Sequence, residues 1–168
     1  IAIIVLTFLI AGLLFPRDDF IPIVATTFVA FQTQVSYESA MVNNDILLVG
    51  MFSLLLYLLV RGICRGFTLG SSVVIGLVFG LGLLAKASMV AGAPLIAFAI
   101  ILTVGITQYK RWIPYGAAAI VTAGAVCWPW YAFLYHTYGN FSALLQVKAL
   151  QYNWTYRNRK HPSILDLL

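Results

Sequence analysis

Charged residues are scarce in this chain, since Asp, Glu, Lys and Arg make up 9% of its 168 residues. Soluble domains carry about a quarter of their residues as charges. Hydrophobic residues account for 62% of the chain, so no soluble globular class fits it. We therefore predict an all-α integral membrane protein, a polytopic bundle of five to six membrane helices.

Cysteine and histidine are also rare, with two of each in the whole chain. Cys64 and Cys127 are far apart in sequence and belong to no Cys-x-x-Cys pattern, which argues against a disulfide framework or a zinc site. His136 and His161 have no acidic or cysteine neighbour at a metal-binding spacing. We expect no metal site and no resident cofactor; a divalent cation is an open alternative that no spacing in the sequence supports.

The basic residues are scattered instead of clustered. Ten Lys and Arg against five Asp and Glu give a net charge of +5, but they stand singly or in small groups around apolar runs. This pattern excludes a nucleic-acid partner and marks membrane topology. Residues 61–65 and 110–111 carry basic side chains, which places them in the cytoplasm and Asp45 and Lys86 on the opposite side.

The apolar runs predict where the helices lie. The run 20–32 is too short to cross a membrane unless 33–38 continues its helix. Because the chain opens inside an apolar run, we expect a larger polytopic protein around it. Residues 1–139 form the predicted membrane region, and 140–168 form an extracytoplasmic amphipathic helix or loop. The remaining predicted helices cover 1–15, 46–60, 71–85, 90–107 and 113–135.

Local signals mark where these helices begin, end and pack. Asp18 or Asp19 is placed to cap the helix that begins at residue 20, and Asn44 or Asp45 is placed to cap the helix 46–60. The basic residues 61–65 are predicted to form a loop after that helix. The Gly76-x-x-x-Gly80 spacing predicts close approach of two helix backbones.

Polar residues from three segments are predicted to meet on the extracytoplasmic side: residues 38–45, residues 86–88 and the residues from 136 onward. An embedded lysine supplies a point charge suited to a phosphate, so Lys86 is the predicted anion-binding residue. Its alternative is a lysine that snorkels from a helix end. Asp45 could instead serve only as a helix N-cap, and the basic run 157–160 could be a face for lipid headgroups. The full predicted substrate-binding set is Glu38, Asn44, Asp45, Lys86, His136, Arg157 and Arg159.

Two stretches carry a resemblance to a known family. The segment FVAFQTQVSYESAMVNNDILLVGMFSLLLYLLVRG, followed by GLVFGLGLLAKAS, resembles membrane glycosyltransferases of the GT-C fold, of the protein O-mannosyltransferase and lipid A aminoarabinose transferase type. In that pattern an Asn-Asp-like pair opens a long helix, and a Gly-rich helix ends in a Leu-x-Lys turn. Here those positions are Asn44-Asp45 and Leu84-Ala-Lys86. The resemblance covers about residues 21–135.

The resemblance implies transfer of a sugar from a polyprenyl-phosphate carrier to an acceptor outside the membrane. Lys86 would then bind the lipid phosphate, while Asp45 and Glu38 shape the pocket. The family's catalytic acid lies in a first outward loop that no stretch here matches. We therefore expect the main catalytic Asp upstream of Ile1 and no transfer by this piece alone, with Glu38 as the candidate within it. Sugar, acceptor and oligomeric state stay open.

A rival interpretation makes the chain part of a transporter or flippase. Glu38, Asp45 and Lys86 would then line a passage for a polar substrate. Transporters of this kind show repeated halves and helices broken at mid-membrane. The Gly92-Ala-Pro94 sequence is the single candidate break. A purely structural membrane subunit would explain the hydrophobicity but not the predicted convergence of polar residues.

Overall fold

The computed structural model describes residues 1–41, 43–105, 109–139 and 141. Within these ranges the chain is helical and contains no strand, which confirms the predicted helical membrane bundle. The helices are α1 (Ala2–Leu14), α2 (Phe20–Ala30), α3 (Thr33–Ala40), α4 (Asn44–Arg65), α5 (Leu69–Ala85), a 3₁₀ turn (Ala87–Ala91), α6 (Gly92–Val104) and α7 (Tyr109–Tyr138).

Three of the described helical stretches are long and apolar enough to cross a membrane. They are Asn44–Arg65, Ala87–Val104 and Trp112–Thr137, while α1, α2 and α5 are apolar but shorter. An α-helix needs about 20 residues to cross a 30 Å hydrocarbon core. The stretch from α4 to α7 therefore contains the best-defined spans.

Residues 33–38 do not continue α2, so the condition under which the run 20–32 could cross a membrane is not met. The helix stops at Ala30, and Gln32 is extended, with φ −71° and ψ 114°, before α3 begins. The predicted cap before α2 is confirmed, since the Asp18 carboxylate accepts hydrogen bonds from the Phe20 and Ile21 amides.

The long helix α4 differs from its predicted bounds at both ends. Asn43 is its N-cap, so the prediction that Asn44 or Asp45 caps the helix is wrong. The basic stretch 61–65 was expected to be a loop, but it forms the last turns of α4. The helix continues because Arg side chains can extend toward water from a helix end. It ends at Gly66, whose φ of 88° suits glycine.

The connection after α5 brings Lys86 to the end of that helix. Thr68 starts α5 with a capping box. The Thr68 hydroxyl accepts a hydrogen bond from the Ser71 amide, and the Ser71 hydroxyl accepts one from the Thr68 amide. Lys86 follows the last helical residue in an extended conformation, and the 3₁₀ turn then leads into α6. Gly92 and Pro94 lie in the first turn of α6, where proline is tolerated. They therefore open a helix instead of interrupting one.

The chain divides into two compact units, Ile1–Cys127 and Trp128–Leu168. The first unit has a core in which Leu55 of α4, Ile75 of α5 and Met89 of the 3₁₀ turn are fully buried. The predicted Gly76-x-x-x-Gly80 packing is present, because both glycines lie against the α7 backbone at Ala119 and Ala123. This contact fixes α5 alongside α7 within the first unit.

The second unit is described over residues 128–139 and 141 only. Leu134 is buried there, and the rings of Trp130 and Phe133 stack with their centroids 5.9 Å apart. The predicted extracytoplasmic segment 140–168 lies outside the described residues except for Phe141. The same holds for Arg157 and Arg159.

Candidate functional site

An ion pair between two predicted site residues lies at one end of the first unit. The Lys86 ammonium donates to Oδ1 of Asp45, which joins the end of α5 to the beginning of α4. Both groups keep contact with solvent, since the side chains are 46% exposed for Lys86 and 40% for Asp45. The two residues therefore lie at the same end of the bundle, as their flanking basic segments predicted.

The local structure around Asp45 holds its carboxylate in place. Asp45 is in the first turn of α4, where the helix dipole favours a negative charge. Its second oxygen, Oδ2, accepts a hydrogen bond of 3.1 Å from the Asn43 side-chain amide. The Asn43 side-chain oxygen in turn accepts from the Asp45 backbone amide at 3.3 Å. Both carboxylate oxygens of Asp45 thus have donors.

Lys86 is the less constrained member of the pair. It stands between α5 and the 3₁₀ turn, on extended backbone, with a side chain that is nearly half exposed. Exposed ion pairs contribute about 0–1 kcal/mol to stability, so an incoming anion can compete for this ammonium. The arrangement is an accessible cation next to a fixed carboxylate.

Glu38 is in a different environment from Asp45. It lies on the short helix α3, and its Oε2 atom is shielded from solvent without a hydrogen-bond partner among the described residues. A shielded carboxylate oxygen without a donor is costly, by about 1–3 kcal/mol or more for a charged group. Glu38 therefore has one carboxylate oxygen that no hydrogen bond from the described residues satisfies.

The other predicted site residues are not all brought together. Asn44 is the first residue of α4, exposed and next to Asp45. His136 is exposed on α7 in the second unit, with its ring edge-on to Tyr135 at 6.5 Å between centroids. Arg157 and Arg159 are not among the described residues. Across the described ranges, no three of His, Cys, Asp or Glu gather as metal ligands would.

Asn43 contacts Asp45 in this site, although it is not in the set of residues predicted from the sequence. The sequence offers Asn43, Asn44 and Asp45 in a row, and any of them can cap a helix. The structure assigns the cap to Asn43 and leaves the Asp45 carboxylate for Lys86. The signal that could have found it is the preference for the cap to precede an acidic first turn.

A family model matches most of the chain. Residues 1–132 match the model described as dolichyl-phosphate-mannose-protein mannosyltransferase, which is more than half of the chain. The chain belongs to this family. It is accordingly a membrane glycosyltransferase of the GT-C type at family level, and an integral membrane protein. The matched region contains Glu38, Asn44, Asp45 and Lys86 but not His136.

No curated protein and no solved structure matches the chain. The family supports glycosyl transfer as the class of reaction.

Proposed function

We propose that this chain carries the donor-binding end of a glycosyltransferase that takes its sugar from a polyprenyl phosphate. The observation that supports this is the half-exposed Lys86 ammonium at the end of α5, held beside Asp45. Lys86 binds the phosphate that links sugar to lipid. A lysine offers a compact positive charge with three rotatable donors, which suits a phosphate that enters from several directions.

Asp45 acts as a resting partner for Lys86 in this proposal. Without donor, the carboxylate offsets the ammonium and keeps it next to the start of α4. When the phosphate binds, the Lys86 ammonium donates some of its N–H hydrogen bonds to the phosphate. Asp45 stays held by the Asn43 side chain and by its position in the first turn of α4. Asn44 and Asp45 then form the wall nearest to the sugar.

Glu38 is the carboxylate proposed for the acceptor side. Transfer to a hydroxyl needs a base within hydrogen-bond reach of the nucleophile. The free acceptor of Glu38 supports this role better than Asp45, whose two oxygens both have donors. For His136, Arg157 and Arg159 the binding of an anionic group stays a prediction from the sequence.

The proposed reaction takes place on the extracytoplasmic face. Basic residues lie near the end of α4, at Arg61 and Arg65, and at the start of α7, at Lys110. They support a cytoplasmic position for this end of the two helices. Lys86 and Asp45 then face the outside. The lipid-linked sugar, the surrounding membrane lipid and an outside acceptor are the proposed partners, with no resident cofactor.

The deciding experiment compares two variants that both break the ion pair. In the full-length protein reconstituted in nanodiscs, binding of sugar-free polyprenyl phosphate is measured for Lys86→Met and Asp45→Asn. Lys86→Met should weaken binding by roughly tenfold or more, since a hydrogen bond to a charged group contributes about 1.5–3 kcal/mol. Asp45→Asn should keep or tighten binding, because the ammonium loses its competitor.

Each other outcome points to a specific alternative. Equal losses in both variants would mean that the ion pair only holds α4 and α5 together. Unchanged binding in both would mean that Lys86 is a snorkelling lysine at a helix end. Thermal unfolding of both variants serves as the control for folding.

A further inference from the structure

The first residues of α4 contain a hydrogen bond that helix capping does not require. Asn43 is the N-cap of α4, and its Oδ1 atom accepts a hydrogen bond of 3.3 Å from the Asp45 backbone amide. A serine or an aspartate could provide such an acceptor equally well. Asn43 also has a side-chain N–H group, and its Nδ2 atom donates to Oδ2 of Asp45 at 3.1 Å. The capping role leaves this second bond unexplained.

The second bond divides the Asp45 carboxylate between two donors. Oδ1 accepts from the Lys86 ammonium, and Oδ2 accepts from the Asn43 amide. Among the described residues no other group donates to this carboxylate. A carboxylate accepts through both of its oxygens, so the loss of one donor strengthens its interaction with the donor that remains. Without the Asn43 amide, both oxygens of Asp45 would be available to Lys86, and the ion pair would tighten.

We propose that Asn43 is a positioning residue that keeps the Lys86 ammonium available to an anion. Its amide holds Oδ2 of Asp45, so that Asp45 engages Lys86 through one oxygen only. The ammonium has three N–H donors and keeps some of them for a phosphate. The inference rests on the proposed function, because it takes the phosphate as the ligand of Lys86. Asn43 acts through Asp45 and needs no contact with the substrate.

The two donors of Asp45 differ in how firmly they are held. Asn43 is two residues away from Asp45, on extended backbone with φ −133° and ψ 145°, so their bond does not depend on how α4 packs against α5. Lys86 lies 41 residues further along the chain and reaches Asp45 through a flexible four-carbon side chain. When an anion binds, Lys86 can therefore turn away from Oδ1 while Asn43 stays on Oδ2.

The test measures binding of sugar-free polyprenyl phosphate to the full-length protein in nanodiscs. Asn43→Ser keeps an oxygen for the helix cap but removes the amide donor, so its Tm should stay near that of the wild type. Binding should weaken by about threefold to fivefold, which is as much as a tighter exposed ion pair can take from the phosphate.

A double-mutant cycle shows whether Asn43 acts through Asp45. In an Asp45→Asn background, Asn43→Ser should leave phosphate binding within about twofold of Asp45→Asn alone, because the charge that Asn43 controls is already gone. A loss that persists in this background would overturn the positioning role, since Asn43 would then affect the phosphate by another route.

A second measurement follows the ion pair without any phosphate. Acylation of Lys86 by an amine reagent, read by mass spectrometry, should be slower in Asn43→Ser and faster in Asp45→Asn than in the wild type. Lys110, exposed at the start of α7, is the internal reference and should react at the same rate in all three proteins.

The outcomes separate this inference from the proposed function. Phosphate binding that depends on Lys86 but is unchanged or tighter in Asn43→Ser would overturn the role of Asn43 alone. Binding that is indifferent to Lys86→Met would overturn the proposed phosphate site. In that case Lys86 acylation would still decide whether Asn43 controls the ion pair, and an equal rate in Asn43→Ser and wild type would refute it.

Discussion

The close contact between α5 and α7 gives a prediction for a single added methyl group. In Gly76→Ala the new Cβ would approach the Ala119 carbonyl oxygen and lie 2.9 Å from the Ala119 Cα atom. Real Cβ atoms essentially never come this close to other heavy atoms. The obstacle is backbone and not a side chain that could rotate away, so the two helices must move apart.

The cost can be estimated from two opposing effects. Overpacking a well-packed contact costs about 1–3 kcal/mol. Replacing a helical glycine by alanine returns up to about 1 kcal/mol through helix propensity. With the full propensity gain, the free energy of unfolding should therefore fall by up to about 2 kcal/mol, which corresponds to a loss of up to about 8 °C in Tm by the scaling of soluble domains of this size.

The assay is thermal unfolding of the full-length protein in nanodiscs, followed by tryptophan fluorescence. Gly50→Ala is the matched control, since Gly50 is also a helical glycine but an added Cβ there meets nothing within 4 Å. The control should keep or raise the Tm. If Gly76→Ala were as stable as the control, α5 and α7 would not pack backbone to backbone.

Three further predictions address the helix start, the topology and the chemistry. Thr68→Ala removes the capping box of α5 and should lower stability by about 0.5–2 kcal/mol in the same thermal assay, and an unchanged Tm would contradict the cap. In a Cys127→Ser background Cys64 should react with an impermeant maleimide only from the cytoplasm, and Ser88→Cys in a cysteine-free protein only from outside; the reverse pattern would invert the proposed active face. Glu38→Gln should lower the transfer rate by about 10²–10⁴ while donor binding persists, whereas wild-type turnover would remove Glu38 from the chemistry.

The sequence was sufficient for the features that depend on local chemistry. Asp18 caps α2 as its position before an apolar run predicts. The Gly76-x-x-x-Gly80 spacing predicted close helix packing, and the structure supplies the partner helix, α7. The sharing of one end by Asp45 and Lys86 followed from the alternation of basic and apolar segments, because each apolar helix that crosses the membrane reverses the side of the next connection.

Features that depend on tertiary context could not be predicted in the same way. The break between α2 and α3 has no proline or glycine, so the sequence contains no breaker to announce it. The predicted end of α4 at residue 60 is too early, because arginine after an apolar run is typical of a loop. The helix continues to Arg65, and the chain turns at Gly66.

The structure also separates two carboxylates that the sequence had grouped into one pocket wall. Asp45 is bound at both oxygens, by Lys86 and Asn43, and is fixed by its place in the first turn of α4. Glu38 has a shielded oxygen without a donor on a short helix of polar composition. A group that must accept a proton needs an acceptor that is not already engaged. Under the proposed function, Asp45 therefore tunes the access of a phosphate to Lys86, and Glu38 is the carboxylate left to contact the acceptor.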